Sequence, residues 1–195
     1  PWRWVAFFLS FFAWVGTARL MPIVGNDLAL TPAQIKWCIV ASVSITIFAR
    51  LLVGWLCDRI GPRLTYTWLL VLGSLPVMGI GLSYDFTTFM FFRLMIGAIG
   101  ASFVITQFHT SIMFAPRCVG TANATGAGWG NLGGGVTQIV MPLVFMLFAT
   151  ALGLGPAIGW RVSMLVAGLV GGGLTGAALN PAAEPVHGFR VRART

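Results

Sequence analysis

Three arginines lie inside apolar stretches of the sequence, where a charged side chain is costly. Arg19, Arg50 and Arg93 each interrupt a run of apolar residues. A cation near the centre of a membrane helix costs at least about 2.5–3.5 kcal/mol, so it normally pairs with another group. The acidic residues all fall outside these runs, at Asp27, Asp58, Asp85 and Glu184. We therefore expect the missing counter-charge on another chain segment or on a bound substrate anion.

The three arginines differ in depth. Arg19 and Arg93 each lie about one and a half turns from the outer end of a run, so their long side chains are expected to extend to the membrane interface. Arg50 lies about seven residues from the cytoplasmic end of its run, which is about 10 Å deep at a rise of 1.5 Å per residue. We expect Arg50 to face a cavity and bind an anion, and a structural role in bonding helix carbonyls is the alternative.

A glycine-rich stretch covers residues 126–135. Residues 128–133 match the GxGxxG dinucleotide pattern, but no strand precedes them and no acid follows about 20 residues on, so that function is rejected. Gly126, Gly130 and Gly134 recur every four residues, which predicts a small-residue face for close helix packing. Asn131 is not explained by packing, and Gln138, seven residues on, shares its face. We expect Asn131 to bond a neighbouring helix or to donate its amide to a substrate.

The composition indicates that membrane helices carry these residues. Of 195 residues, 57% are hydrophobic and only 8% are charged, and the mean hydropathy is +0.90, whereas soluble domains carry about 25% charged residues. A soluble enzyme is nearly excluded. The net charge of +8 comes from scattered residues, so no nucleic acid partner is expected. Three widely spaced cysteines argue against a disulfide framework or a zinc site, and we expect no metal and no cofactor.

Six apolar runs are long enough to cross a bilayer, which takes roughly 20 residues. The predicted fold is an all-α membrane protein with spans 1 to 6 at residues 4–24, 35–56, 64–83, 88–113, 122–150 and 161–179. Cations fall between spans 2 and 3, between spans 4 and 5 and after span 6, which predicts that both termini are cytoplasmic. Lys36 and Arg161, at the outer edges of spans 2 and 6, depart mildly from this rule. We predict a six-helix unit over residues 1–180, and a cytoplasmic tail or the start of a linker over residues 181–195.

The segment between spans 2 and 3 carries a family pattern. Residues 54–63 read Gly-Trp-Leu-Cys-Asp-Arg-Ile-Gly-Pro-Arg and resemble the GxxxDRxGxR loop of the major facilitator superfamily, with Pro62 where a basic residue is common. In that family the loop is cytoplasmic and helps to control which side of the protein is open. The resemblance implies a gating loop made of Gly54, Asp58, Arg59, Gly61 and Arg63.

Span 5 narrows the resemblance. Residues 127–133 resemble the glycine-rich signature of the nitrate/nitrite porter family, and residues 41–50 are similar to its helix 2. This implies that Arg50 grips nitrate or nitrite, that Phe103 lies beside the anion, and that Asn131 completes the site, with Gly128 and Gly130 of the signature next to the substrate.

The resemblance also implies a mechanism. It predicts a secondary active transporter of nitrate and nitrite in the inner (cytoplasmic) membrane, working by alternating access. The family has 12 helices in two halves, so this chain supplies one half, in which spans 1–3 and 4–6 are related repeats. Its expected partners are the lipid bilayer and a C-terminal six-helix half that carries a second anion-gripping arginine. Alone, the chain is not expected to complete a transport cycle.

Other functions stay open from the sequence. A facilitator for another small anion or an organic acid would use the same arginine, and only the span 5 signature argues against it. A non-transporting membrane sensor or assembly subunit would explain a half-length chain, but not a buried, unpaired Arg50 together with a preserved gating loop. An enzyme is not expected, because the spans contain no acid–base or metal constellation.

Overall fold

The structure is a computed structural model that describes residues 2–178. In this part of the chain the regular structure is helical, with α1 Trp2–Val15, α2 Met21–Asp27, α3 Pro32–Ile60, α4 Pro62–Gly79, α5 Phe86–Gly97, α6 Ser102–Met113, α7 Val119–Met146 and α8 Gly155–Ala178. Two 3₁₀ turns follow α4 and α5, and a π-helical turn over Leu147–Ala151 extends α7. The predicted tail at residues 181–195 lies outside the described residues.

The longest helix, α3, has clear signals at both ends. Thr31 and Gln34 form a capping box: Gln34 N donates to Thr31 Oγ1 at 3.3 Å, and Thr31 N donates to Gln34 Oε1 at 2.8 Å. Pro32 occupies the first turn, where its missing N–H has no helical partner to lose. The helix ends at Gly61, whose φ of +86° suits glycine. Span 2 therefore runs to Ile60 rather than to residue 56, and Asp58 lies in the last turn of α3 instead of in a loop.

Span 1 is not one continuous helix, which corrects the prediction for residues 4–24. The chain turns over Gly16–Leu20, where Ala18 N bonds Val15 O and Leu20 N bonds Thr17 O. Pro22 lies in the first turn of α2 and has no N–H for the carbonyl of the preceding turn. The physical signal for the break, a glycine and a proline six residues apart, is therefore present in the sequence.

Span 4 is also interrupted, by the 3₁₀ turn over Ala98–Ala101 between α5 and α6. The backbone of α5 touches α3 here, because a β-carbon on Gly97 would lie 2.9 Å from the carbonyl carbon of Ser42. Thr46 Oγ1 donates to Gly97 O at 2.8 Å. A side chain of α3 therefore bonds to the last carbonyl of α5, just before the 3₁₀ turn begins. Short 3₁₀ segments inside a helix mark such local constraints.

Helix α1 is in contact with four of the other helices. It makes its most extensive contact with α7 and also contacts α4, α6 and α8, while α4 packs on α8 and α3 packs on α5. The fully buried side chains between them are large, and include Phe7, Phe89, Ile96, Trp160 and Met164.

The outer surface is apolar. Four helical segments of the described chain are long and apolar enough to cross a membrane, Pro32–Ile60, Pro62–Leu82, Phe86–Met113 and Val119–Ala151, and they correspond to spans 2 to 5. Large apolar side chains such as Ile47, Phe48 and Leu51 are exposed along α3. The prediction of an all-α membrane protein is confirmed, whereas the count of six spans and the two-repeat relation stay predictions.

Candidate functional site

Arg50 projects from α3 without an acidic partner. It lies one turn beyond Thr46 and is exposed. Within residues 2–178 the carboxylate that pairs with a cation at close range is that of Asp27, and its partner is Arg161. Arg50 is therefore a cation on an apolar helix whose charge is not neutralised by the described residues.

Contacts between α3 and the α5–α6 junction fix the level of Arg50, meaning its position along the axis of the helix bundle. Ser42 touches Gly97, and one turn later Thr46 touches Gly100, whose added β-carbon would lie 2.9 Å from Thr46 Cγ2. The two segments therefore run in the same direction. Arg50 lies four residues beyond Thr46, about 6 Å along the axis, and Phe103 lies three residues beyond Gly100, about 4.5 Å along. These steps place Arg50 and Phe103 at a similar level.

Phe7 of α1 extends this level to α7. The rings of Phe7 and Phe103 lie 5.9 Å apart, tilted by 50°. The Phe7 ring also covers Gly130, where an added β-carbon would lie 2.7 Å from Phe7 Cδ1. Asn131 follows Gly130 and is exposed. Three of the predicted site residues, Arg50, Phe103 and Asn131, thus share one level of the helix bundle.

The contact between α1 and α7 depends on glycine. Gly126, Gly130 and Gly134 are all buried. The tightest approach is at Gly133, which the sequence analysis did not single out: an added β-carbon would overlap the carbonyl oxygen of Phe8. Gly130 lies in this contact, whereas Gly128 is exposed and no described atom lies within 4 Å of a β-carbon placed there.

Arg19 is joined to α7 and is exposed, so the expectation that its side chain extends to the membrane interface stays a prediction. Its Nε donates to Gln138 Oε1 at 3.0 Å, and the arginine is exposed. Arg19 lies in the turn between α1 and α2, and this turn brings its side chain across to α7.

Arg93 is buried, which corrects the expectation that it reaches the interface. Only 6% of the residue is exposed. Its Nη1 donates to Thr17 Oγ1 in the break of span 1, and its Nε is buried without a hydrogen-bond partner in the described part of the chain. The position of a residue along a span gives only its distance from the end of that span. The neighbouring residues that bury Arg93 could therefore not be predicted from the sequence.

The predicted gating-loop residues cluster where α3 meets α4. Gly61 N bonds Cys57 O at 3.1 Å and closes α3. Thr65 Oγ1 donates to Gly61 O at 2.8 Å at the start of α4. The guanidinium of Arg59 lies 5.0 Å from the centre of the Trp55 ring. Asp58, Arg59, Gly61 and Arg63 therefore lie at this junction, whereas Gly54 lies within α3 about two turns earlier. Their role in gating stays a prediction.

Arg161 forms a network at the other end of the bundle, which explains its departure from the charge rule. Its Nη2 lies 2.9 Å from Asp27 Oδ2, which also accepts Trp160 Nε1 at 2.9 Å. Its Nη1 donates to the carbonyls of Gly81 at 3.1 Å and Ser83 at 2.7 Å. The network joins α2, the segment of the 3₁₀ turn after α4 and the first half of α8, and Asp27 neutralises the cation.

Comparisons with known proteins agree on one kind of protein. The family model described as Major Facilitator Superfamily matches residues 3–190. The chain is 34% identical over 167 residues to the nitrate/nitrite transporter NrtP of Nostoc punctiforme. It is 39% identical over 170 residues to the high affinity nitrate transporter 2.5 of Arabidopsis thaliana, and 42% identical over 142 residues to the nitrate transporter 2.1 of Chlamydomonas reinhardtii.

These matches cover 86%, 85% and 73% of this chain, but 33%, 33% and 26% of the three relatives. The chain therefore spans about a third or less of the length of the curated relatives it matches. The predicted resemblance to nitrate/nitrite porters is confirmed by these relatives. They are named as transporters, which confirms the expectation that the chain is not an enzyme.

Proposed function

The chain belongs to the Major Facilitator Superfamily, and from this premise we propose that it forms one half of a secondary active transporter of nitrate and nitrite. In this proposal residues 1–180 are the N-terminal six-helix half and residues 181–195 begin the connection to the second half. The transporter lies in the inner (cytoplasmic) membrane, with both ends of this half on the cytoplasmic side. The similarity to proteins named as nitrate transporters supports an inorganic anion as the substrate.

The observation that carries the proposal is the common level of Arg50, Phe103 and Asn131. Nitrate is planar and singly charged, and a guanidinium is planar, permanently charged and offers paired donors, so the two match better than nitrate and an ammonium would. The amide of Asn131 adds a neutral donor. Phe103, held against Phe7 at 5.9 Å, supplies a flat apolar wall.

In this proposal alternating access comes from rocking of this half against the second half. The close contact of Gly133 with Phe8 supports it, because it ties α1 to α7 within this half. The second half supplies a second arginine and closes the site over Arg50. The turn between α3 and α4, with Asp58, Arg59 and Arg63, controls opening on the cytoplasmic side.

The test uses the complete transporter, meaning this chain joined to its second half, purified and placed in liposomes. We expect saturable uptake of labelled nitrate that unlabelled nitrite inhibits and that acetate and chloride do not. Folded protein that takes up no nitrate overturns the proposal. Uptake of an organic acid in place of nitrate would favour the alternative, a facilitator for another anion.

The same liposomes test the coupling. The acidic residues of the described chain lie at the helix ends or in a loop, at Asp27, Asp58 and Asp85, so we propose that this half carries no carboxylate relay for protons. Nitrate–nitrite exchange needs no such relay. Liposomes loaded with nitrite should therefore take up nitrate without a pH gradient, and uptake driven by a pH gradient alone, without internal nitrite, would contradict simple exchange.

A further inference from the structure

Arg19 is a cation fixed on α7 by a single hydrogen bond. Its Nε donates to Gln138 Oε1 at 3.0 Å. This bond uses one of the five N–H groups of the guanidinium, and within residues 2–178 the two Nη nitrogens have no hydrogen-bond partner. Arg19 is exposed, so these donors are accessible.

The break in span 1 places Arg19 there. Thr17 and Arg19 lie two residues apart in the turn over Gly16–Leu20. Thr17 is buried and accepts from Arg93 on one side of the bundle, while Arg19 reaches Gln138 on α7. The turn thus holds the guanidinium against α7 instead of leaving it to move in solvent or lipid.

Gln138 lies on the same face of α7 as Asn131. The two residues are seven positions apart, which is about 10 Å along the axis and nearly two full turns. Gly135 lies between them, and no described atom lies within 4 Å of a β-carbon placed on it. The face formed by Asn131, Gly135 and Gln138, which we call the α7 polar face, therefore has polar groups at both ends and open space between them.

The charge of Arg19 is not balanced by the described acids. Asp27 pairs with Arg161, Asp58 lies in the last turn of α3, and Asp85 precedes α5. An exposed, unbalanced cation facing lipid would be costly, whereas one facing a water-filled path attracts anions. The predicted topology puts Gln138 on the outer side of Asn131.

We propose that Arg19, positioned by Gln138, is an outer anion-binding residue that receives the substrate between the outside and the level of Asn131. Its ligand is a small singly charged oxyanion, which accepts hydrogen bonds from the two Nη groups. The inference rests on the proposed function, because it places a second binding point on the path of the same anion.

The test measures uptake of external nitrate by the complete transporter in liposomes with the outer face outward. Arg19→Gln should raise the KM for external nitrate about tenfold or more, because a charge-assisted contact is lost, and kcat should stay within about twofold. Gln138→Glu should raise KM similarly, because a carboxylate beside Arg19 neutralises it. Lys36→Gln removes another exposed cation, at the start of α3, and should leave KM unchanged.

The outcomes separate the two proposals. Arg19→Gln with an unchanged KM, whether or not less folded protein is recovered, means that Arg19 only ties α1 to α7, and this inference is overturned. If the parent protein takes up no nitrate, the proposed function fails and this inference fails with it. A parent that transports nitrate while Gln138→Glu also keeps its KM again overturns the inference alone.

Discussion

A β-carbon placed on Gly133 of α7 would overlap the backbone carbonyl oxygen of Phe8 in α1 and would lie 2.9 Å from its carbonyl carbon. The two helices therefore meet backbone to backbone. One turn further along both helices, Thr137 Oγ1 donates to Phe12 O at 3.1 Å and continues the contact. The position of Asn131 relative to Phe7 and Phe103 depends on this approach.

Gly133→Ala should destabilise the protein, because a methyl group has no room against rigid backbone. Overpacking of this kind typically costs about 1–3 kcal/mol. Thermal unfolding of the detergent-purified protein measures the effect. Gly135→Ala is the matched control, since space is open at Gly135, and it should unfold at or above the temperature of the parent. Equal unfolding temperatures for the two variants would contradict the close contact.

Asp27→Ala should also destabilise the protein. Asp27 Oδ2 accepts from Arg161 Nη2 and from Trp160 Nε1, both at 2.9 Å, and Trp160 is fully buried. Losing a hydrogen bond to a charged group typically costs about 1.5–3 kcal/mol, and partial exposure of the ion pair, 16% and 19%, places the effect toward the lower value.

The control for Asp27 is Asp85→Ala. Asp85 is exposed and precedes α5 without a side-chain capping bond, so its removal should leave the unfolding temperature nearly unchanged. If Asp27→Ala and Asp85→Ala behave alike in thermal unfolding, the network around Arg161 does not stabilise the bundle.

Arg93→Lys should be clearly destabilising, because Arg93 is buried in the bundle instead of extending to the membrane interface. Arg93 is buried and donates from Nη1 to Thr17 Oγ1, and a lysine lacks the planar fork that makes this contact. Thr17→Val should cost about 1–3 kcal/mol, because it leaves a buried donor unsatisfied. The yield of folded protein and its unfolding temperature report both effects, with exposed Thr88→Val as control. Parent-like stability of Arg93→Lys would mean that the arginine reaches the interface after all.

Local features of the sequence were predictable, and distant pairings were not. The apolar runs predicted spans 2 to 5. The spacing of Gly126, Gly130 and Gly134 predicted a small-residue face on α7, and these three glycines are buried. The break in span 1 was missed because residues 4–24 are long enough and apolar enough to form a single membrane helix, although Gly16 and Pro22 mark it. The partner of Arg161 lies 134 residues away at Asp27, so no local pattern could show that this cation is neutralised.

The common level of the candidate site could not be predicted from spacing either. Arg50 and Phe103 are aligned by the contacts of Thr46 with Gly97 and Gly100, and Asn131 is aligned by the Phe7 ring. Each of these contacts joins residues that are far apart in the chain. The family resemblance pointed to these three residues. Tertiary packing explains why they lie at the same level of the bundle.

The central claim is that Arg50 binds the anion, and nitrate binding to the purified complete transporter, measured by calorimetry, tests it most directly. Arg50→Lys keeps the charge but loses the planar fork, so we expect nitrate affinity to fall roughly 10- to 150-fold, as for a lost charge-assisted hydrogen bond of about 1.5–3 kcal/mol. Arg117→Lys makes the same change at an exposed arginine in the turn between α6 and α7, outside the candidate site and the gating loop, and should bind nitrate like the parent. Nitrate affinity in Arg50→Lys equal to that of the parent would show that Arg50 is structural and that the anion binds elsewhere.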